Sequence, residues 1–293
     1  MTVLARTVEV TRRYGNVLAL DGVSLDIHAG ELVGLLGPNG AGKSTLINLF
    51  VGLRRPSSGT VELLGGSPAD PAIRRGIGVT PQETGLPEVL KVGEIVEFVS
   101  AHFPRRAAKG ELLDRFGLGD LAKRQIGGLS GGQKRRLAVA LAFAGEPRLV
   151  FLDEPTTGLD VEARRALWDG IRAFHSGGGT VVLTSHYLEE IEALAQRVVV
   201  VGQGRVLADD TVGAIRDVVG ARRVSLVADK LPELPGVIAT HREDGRVHLV
   251  TADPDRLVVE LVRSGAPFSG LEIQPTSLEE AFLAITTKEP AHA

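Results

Sequence analysis

Leu32-Val33-Gly34-Leu35-Leu36-Gly37-Pro38-Asn39-Gly40-Ala41-Gly42-Lys43-Ser44-Thr45-Leu46 holds the signal from which the architecture is read. Residues 32–36 form a short apolar run that stops at Gly37, and a helix-compatible pattern begins near Lys43 with apolar positions at Leu46, Leu49 and Phe50. The order is strand, glycine loop, helix. The octapeptide Gly37-Pro38-Asn39-Gly40-Ala41-Gly42-Lys43-Ser44 matches G-x-x-x-x-G-K-[ST] in the context that motif requires. Phosphate oxygens must be met by several backbone N–H groups at once, and only a chain with glycines at its bends wraps that closely. The helix N-terminus adds a positive field. In such a loop Lys43 reaches the β- and γ-phosphates of a nucleotide and the Ser44 hydroxyl ligates Mg²⁺.

Outward from this loop, strands are expected at 76–80, 149–152, 180–184 and 198–201, rich in β-branched residues and nearly continuous in apolarity. Strands buried on both faces read this way. Between the last three lie two helical patterns, Ala163, Leu167, Ile171 and Phe174, then Leu188, Ile191 and Leu194. Alternation of strand and helix implies an α/β fold with a parallel sheet. Residues 88–145 carry only helical faces and read as a helical insertion between two strands. After Gly220 a second pattern begins, with strands at 224–227, 248–251 and 270–273 and helices at 255–263 and 278–286; Ser277 and Glu280 have capping-box spacing. The expected organisation is residues 1–220 plus a small α+β domain at 221–293.

A triphosphate site needs an acidic element at the end of a neighbouring strand, because Mg²⁺ must be held from a second side. Leu149-Val150-Phe151-Leu152-Asp153 supplies it, and Glu154 follows. Asp153 is suited to the metal, and Glu154 to polarising the attacking water as general base. Composition narrows the class further. Hydrophobic residues at 43% and charged residues at 24% are ordinary globular values, and a net charge of −3 with a pI near 6.2 gives no basic field for nucleic acid. The 293 residues include no cysteine, no apolar run approaches a membrane span, and the first ten residues have no signal-peptide core. A cytosolic chain is the expectation.

Leu129-Ser130-Gly131-Gly132-Gln133, followed by a basic helical stretch from Lys134, narrows the class. With the order of the other motifs and the 110-residue interval from Lys43 to Asp153, it resembles the ATP-binding-cassette (ABC) ATPases. The resemblance implies a cassette over residues 1–220, with a mainly parallel sheet, antiparallel N-terminal strands and a helical subdomain at about 88–145. It implies ATP and Mg²⁺ as ligands, with Gly37, Pro38, Asn39, Gly40, Ala41, Gly42, Lys43, Ser44 and Thr45 around the phosphates. Ser130, Gly131, Gly132 and Gln133 would face the ATP of a partner subunit, although a serine and two glycines are also a good helix entry. Tyr14, a few residues past the first strand, matches the aromatic that stacks on adenine. Gln82 matches the loop glutamine touching Mg²⁺ and the attacking water, His186 the switch histidine at the γ-phosphate, and Asp160 the loop crossing to the other subunit, where it doubles as an N-cap.

Transport then implies a second cassette and separate transmembrane permease subunits, with the chain held at the inner face of the plasma membrane. A soluble ATPase of DNA or ribosomes is disfavoured, because no sustained heptads lie between Lys43 and Asp153 and only one cassette is present. An importer is disfavoured because three short C-terminal strands are too few for a β-barrel. The run 154–160 and the tail Pro275-Thr276-Ser277-Leu278-Glu279-Glu280-Ala281-Phe282 look like those of drug-resistance export ATPases, including the daunorubicin-resistance type.

Overall fold

The computed structural model describes residues 2–80, 85–185, 187–217, 222–243, 245–275 and 277–287. The chain forms two compact units, Met1–Asp209 and Asp210–Ala293. The sequence placed this boundary at 220. It lies earlier because helix α8 (Val212–Asp217) buries Ile215 completely and packs with α10 (Leu278–Thr287) of the second unit.

In the first unit, β1 (Val3–Tyr14) pairs antiparallel with β2 (Val17–His28) and β4 (Ser58–Leu63), giving a three-stranded sheet in the order β2-β1-β4. A second sheet contains β3 (Leu32–Leu36), β5 (Ile77–Thr80), β6 (Leu149–Asp153), β7 (Thr180–Thr184), β8 (Arg197–Gly202) and β9 (Arg205–Thr211), in the order β5-β6-β7-β3-β8-β9. The first five of these are mutually parallel. The sequence had the acidic strand as a neighbour of the phosphate-loop strand, but β7 stands between β3 and β6. Strand β9 was not anticipated; it returns after the two-residue turn Gln203-Gly204, both at positive φ, as a tight hairpin requires.

Helix α1 (Lys43–Phe50) follows β3, and its Leu46, Leu49 and Phe50 are buried in one core with Val10 and Leu20 of the antiparallel strands and Val33, Phe151 and Val199 of the parallel sheet. Phe50 and Phe151 stack at 5.7 Å. Burying a large side chain in this way contributes roughly 1.5–3 kcal/mol, so this cluster anchors the glycine loop between two sheets. The short α2 (Pro71–Arg74) precedes β5. Between β5 and β6 lie α3 (Val92–Ser100), α4 (Lys109–Arg115) and α5 (Gly131–Ala142), the helical subdomain expected there. Two helices complete the unit, α6 (Val161–Ser176) before β7 and α7 (Leu188–Leu194) before β8.

The second unit contains β10 (Arg222–Val227), β11 (Val237–Glu243), β12 (Arg246–Thr251), α9 (Pro254–Arg263) and β13 (Ser269–Pro275) with α8 and α10. All its strand pairs are antiparallel, in the order β11-β12-β10-β13. Among the described residues there are thus four strands where three were expected, and they form an open sheet with edges at β11 and β13. Its core joins Val224, Leu226, Val247 and Leu249 to Leu257 and Leu261 of α9. The capping box forms: Glu280 N donates to Ser277 Oγ at 3.2 Å and Ser277 N to Glu280 Oε2 at 2.8 Å. Among the described residues no helix is long and apolar enough to cross a membrane.

Candidate functional site

The loop from β3 to α1 is shaped by two glycines that admit no side chain. A Cβ on Gly37 would lie 2.3 Å from the Val201 carbonyl oxygen, and one on Gly42 would lie 2.6 Å from that of Ala19. Gly42 also takes φ 108° as the N-cap of α1, a conformation that only glycine adopts without strain. Ala41 is buried and its N–H donates to the Pro38 carbonyl at 3.2 Å, while Asn39 and Gly40 are exposed. Ser44 is exposed and Thr45 half-buried in the first turn of α1, where helix N–H groups lack intrahelical partners.

Lys43 is only 7% exposed, yet its Nζ donates to the Gly37 and Pro38 carbonyls at 2.6 and 3.1 Å. Burial pulls its pKa below the ordinary lysine value, and the charges of Glu154 and Asp153 pull it back up. The lysine and the two carboxylates, 110 residues apart in sequence, therefore share one electrostatic site. A cation with these partners is suited to neutralising phosphate charge.

Asp153 ends β6 opposite Thr184 of β7. The Thr184 hydroxyl donates to Asp153 Oδ1 at 2.5 Å and accepts from the Glu154 N–H at 3.0 Å. One side chain of the intervening strand thus fixes both acidic residues, a role that the sequence reading missed. Glu154 has φ 49°; for a residue with a Cβ this left-handed backbone costs on the order of 1–3 kcal/mol. The Thr157 hydroxyl lies 3.4 Å from its Oε2.

Two buried charged residues brace this turn, and neither was singled out in sequence. Arg135 of α5 donates to the carbonyls of Asp153 (2.7 Å), Glu154 (2.8 Å) and Pro155 (3.2 Å). Burial lowers its pKa from the usual arginine value, opposed by Asp153, Glu154 and Glu190. Glu190 of α7 is fully buried and accepts from the Thr156 hydroxyl at 2.9 Å and Trp168 Nε1 at 3.0 Å. Burial pushes its carboxyl upward in pKa, against hydrogen bonds from Ser185, Thr156 and Trp168 and the charge of Arg164. The signal for Arg135 was present in the run Lys134-Arg135-Arg136, which reads as a solvated basic stretch until one of its members is found 7% exposed.

Ser130 caps α5 in a full capping box: its Oγ accepts from Gln133 N at 3.2 Å, and Gln133 Oε1 accepts from Ser130 N at 3.0 Å. Gly131 and Gly132 follow with φ outside the left-handed region. A Cβ on Gly131 would meet nothing within 4 Å, and one on Gly132 would only touch Leu159 at 3.4 Å. Neither glycine is demanded by the chain's own packing. Asp160 caps α6, its Oδ1 accepting from Ala163 N at 2.8 Å. Tyr14 is the last residue of β1 rather than lying past it; it is 38% exposed, with the Arg12 guanidinium 4.5 Å from its ring centroid. Gln82 and His186 lie outside the described residues. Beside His186, Tyr187 N donates to Ser185 Oγ at 2.9 Å, and the Tyr187 ring sits under Arg164 at 4.6 Å.

A family model described as ABC transporter matches residues 20–157. At 36% identity, 96% of this chain aligns with 94% of a daunorubicin resistance ATP-binding protein of Streptomyces coeruleorubidus. At 35% identity, 98% of it aligns with 88% of a Nod factor export ATP-binding protein of Mesorhizobium japonicum. Among solved structures, an ATP-binding subunit of an ABC transporter superposes with a TM-score of 0.68 at 30% identity, covering 74% of this chain and 93% of that one. The dimeric structure of a bacterial ABC transporter cassette gives 0.64 at 29%, covering 71% and 98%.

Proposed function

The chain belongs to the ABC transporter family as an ATP-hydrolysing, ATP-binding subunit, and from that premise we propose that two such cassettes close on two ATP molecules to drive a separate permease exporting a drug-like or other hydrophobic compound. The glycines of the signature loop carry the two-subunit part of this reading. Glycine in the first turn of a helix weakens it, and this chain's own packing asks for neither Gly131 nor Gly132. A group arriving from outside the chain accounts for them: the γ-phosphate held by the partner's Lys43 loop, met by Ser130 and the first amides of α5.

Within one half-site Lys43 and the α1 amides hold the β- and γ-phosphates, and Tyr14 offers its ring to adenine. The Ser44 hydroxyl and Asp153 carboxylate, with Gln82, are hard oxygen donors suited to Mg²⁺, which neutralises charge on the phosphates when bound. Glu154 takes the proton of the attacking water, and His186 contacts the γ-phosphate. Asp160 lies in the loop that approaches the other subunit. ATP favours the closed dimer because the signature loop contributes only there, and hydrolysis removes that preference.

The names of the relatives support export, as does an open four-stranded C-terminal sheet in place of a barrel. Docking on the permease would hold the chain at the inner face of the plasma membrane. The domains under this reading are the cassette and an accessory α+β unit. Glu154→Gln is expected to bind ATP normally, lose turnover by about a hundredfold or more, and accumulate as an ATP-bound dimer on a sizing column. Normal hydrolysis by that variant would remove Glu154 from the mechanism.

A further inference from the structure

Arg135 is 7% exposed, and its donors reach three successive carbonyls of one turn, those of Asp153, Glu154 and Pro155. A buried guanidinium is costly unless its donors are satisfied, and an apolar side chain would fill the same space without that cost. The turn it grips closes on itself through a long bond, the Thr157 N–H donating to the Glu154 carbonyl at 3.3 Å. Strand β6 ends there, Glu154 has left-handed backbone at φ 49°, and its carbonyl also accepts from Arg135 of α5 at 2.8 Å. Arg135 lies five residues after Ser130, one turn further along the same helix.

We propose that Arg135 is a positioning residue for Glu154, locking the helix that begins at Ser130 to the turn that aims the general base of the same chain. The inference rests on the reading of Glu154 as that base. Glu190 completes the brace from the other side. It holds Thr156, the next residue of the turn, together with Trp168 of α6, and its charge attracts Arg135. The trans phosphate contact and the cis base are thereby parts of one rigid piece. A signature loop seated on the partner's ATP fixes where Glu154 stands in its own site.

The fork geometry makes a specific demand. Five N–H donors on a rigid plane can meet three carbonyls at once, whereas a lysine ammonium on a flexible stem keeps the charge without the fork. Arg135→Gln and Arg135→Lys, made in the full chain, are expected to bind a fluorescent ATP analogue within about twofold of normal. Both are expected to keep KM and lose kcat by about tenfold or more, the scale of an ångström-sized misplacement. In a Glu154→Gln background both should still form the ATP-dependent dimer. Full kcat in Arg135→Lys would overturn the proposal. So would loss of the dimer in step with loss of kcat, because Arg135 would then act on the interface. Should Arg135→Gln melt early, Arg135→Lys, which keeps charge and bulk, decides alone. Normal hydrolysis by Glu154→Gln sinks the functional reading itself. Normal hydrolysis by Arg135→Lys beside an inactive Glu154→Gln sinks only the positioning role.

Discussion

The six-stranded sheet of β3 and β5–β9 and the four-stranded sheet of β10–β13 bury similar apolar residues by different means. The parallel strands of the first unit are covered on both faces, as in β3 and β7, where all five residues are buried. Their C-terminal ends deliver Gly37, Asp153 and Thr184, whose backbones or side chains are spent on close, specific contacts. In the antiparallel sheet of the second unit the inner strands β10 and β12 mix buried with half-buried positions, and the edge strand β11 is exposed along almost its whole length. The unit's side-chain hydrogen bonds include caps and cross-strand pairs, such as Ser277 with Glu280 and Ser225 Oγ with His248 Nδ1 at 2.8 Å. The candidate chemistry sits where parallel strand ends converge.

If that division is right, the largest effects on turnover come from single atoms in the first unit. Ser130→Arg is expected to abolish hydrolysis while each chain still binds nucleotide, because the guanidinium fills the anion site offered to the partner. Unchanged ATPase activity would break the two-subunit site. In the second unit the largest effect should be on stability. Leu261 of α9 is fully buried against Val224, Leu226 and Leu249, so Leu261→Ala should cost about 2–5 kcal/mol in that unit's unfolding. Calorimetry or denaturant titration measures it, with nucleotide affinity unchanged. A loss of ATP binding in this variant would erase the distinction between the units.

The same contrast explains what could be read in advance. Gly37 to Ser44, Asp153 with Glu154, and Leu129 to Gln133 are legible as motifs because each is a contiguous run whose residue types and spacing can be matched without knowing what packs beside it. The parallel strands are legible because burial on both faces leaves continuous apolar runs, and the helical subdomain because its helices bury one periodic face. Strand β11 was missed because Val237-Ile238-Ala239-Thr240-His241-Arg242-Glu243, half-buried only at its first residue, lacks a clean period. Arg135, Thr184 and Glu190 were missed for another reason. Their roles depend on which strands and helices lie side by side, and β7 intervening between β3 and β6 is a fact of tertiary order that no local pattern encodes. The end of the first strand at Tyr14 differs by a few residues, the usual scale for element ends, whereas the unit boundary lies eleven residues before 220, because the packing of α8 with α10 is a tertiary contact that no local pattern encodes.

The finest discrimination comes from Gly131, where the two kinds of pressure act in opposite directions. Alanine there meets no atom within 4 Å and needs no unusual backbone, so by packing alone Gly131→Ala should stabilise the first unit. The gain is up to about 0.5–1 kcal/mol, the helix-propensity difference between the two residues. The same methyl stands at the exposed entrance of α5, beside the amides offered to the partner's phosphate, and should lower kcat while single-chain nucleotide binding holds. A variant both more stable and less active means that glycine is kept for a contact this chain does not make with itself. A variant with raised stability and full activity would place the arriving phosphate elsewhere and leave Ser130 as a helix cap only.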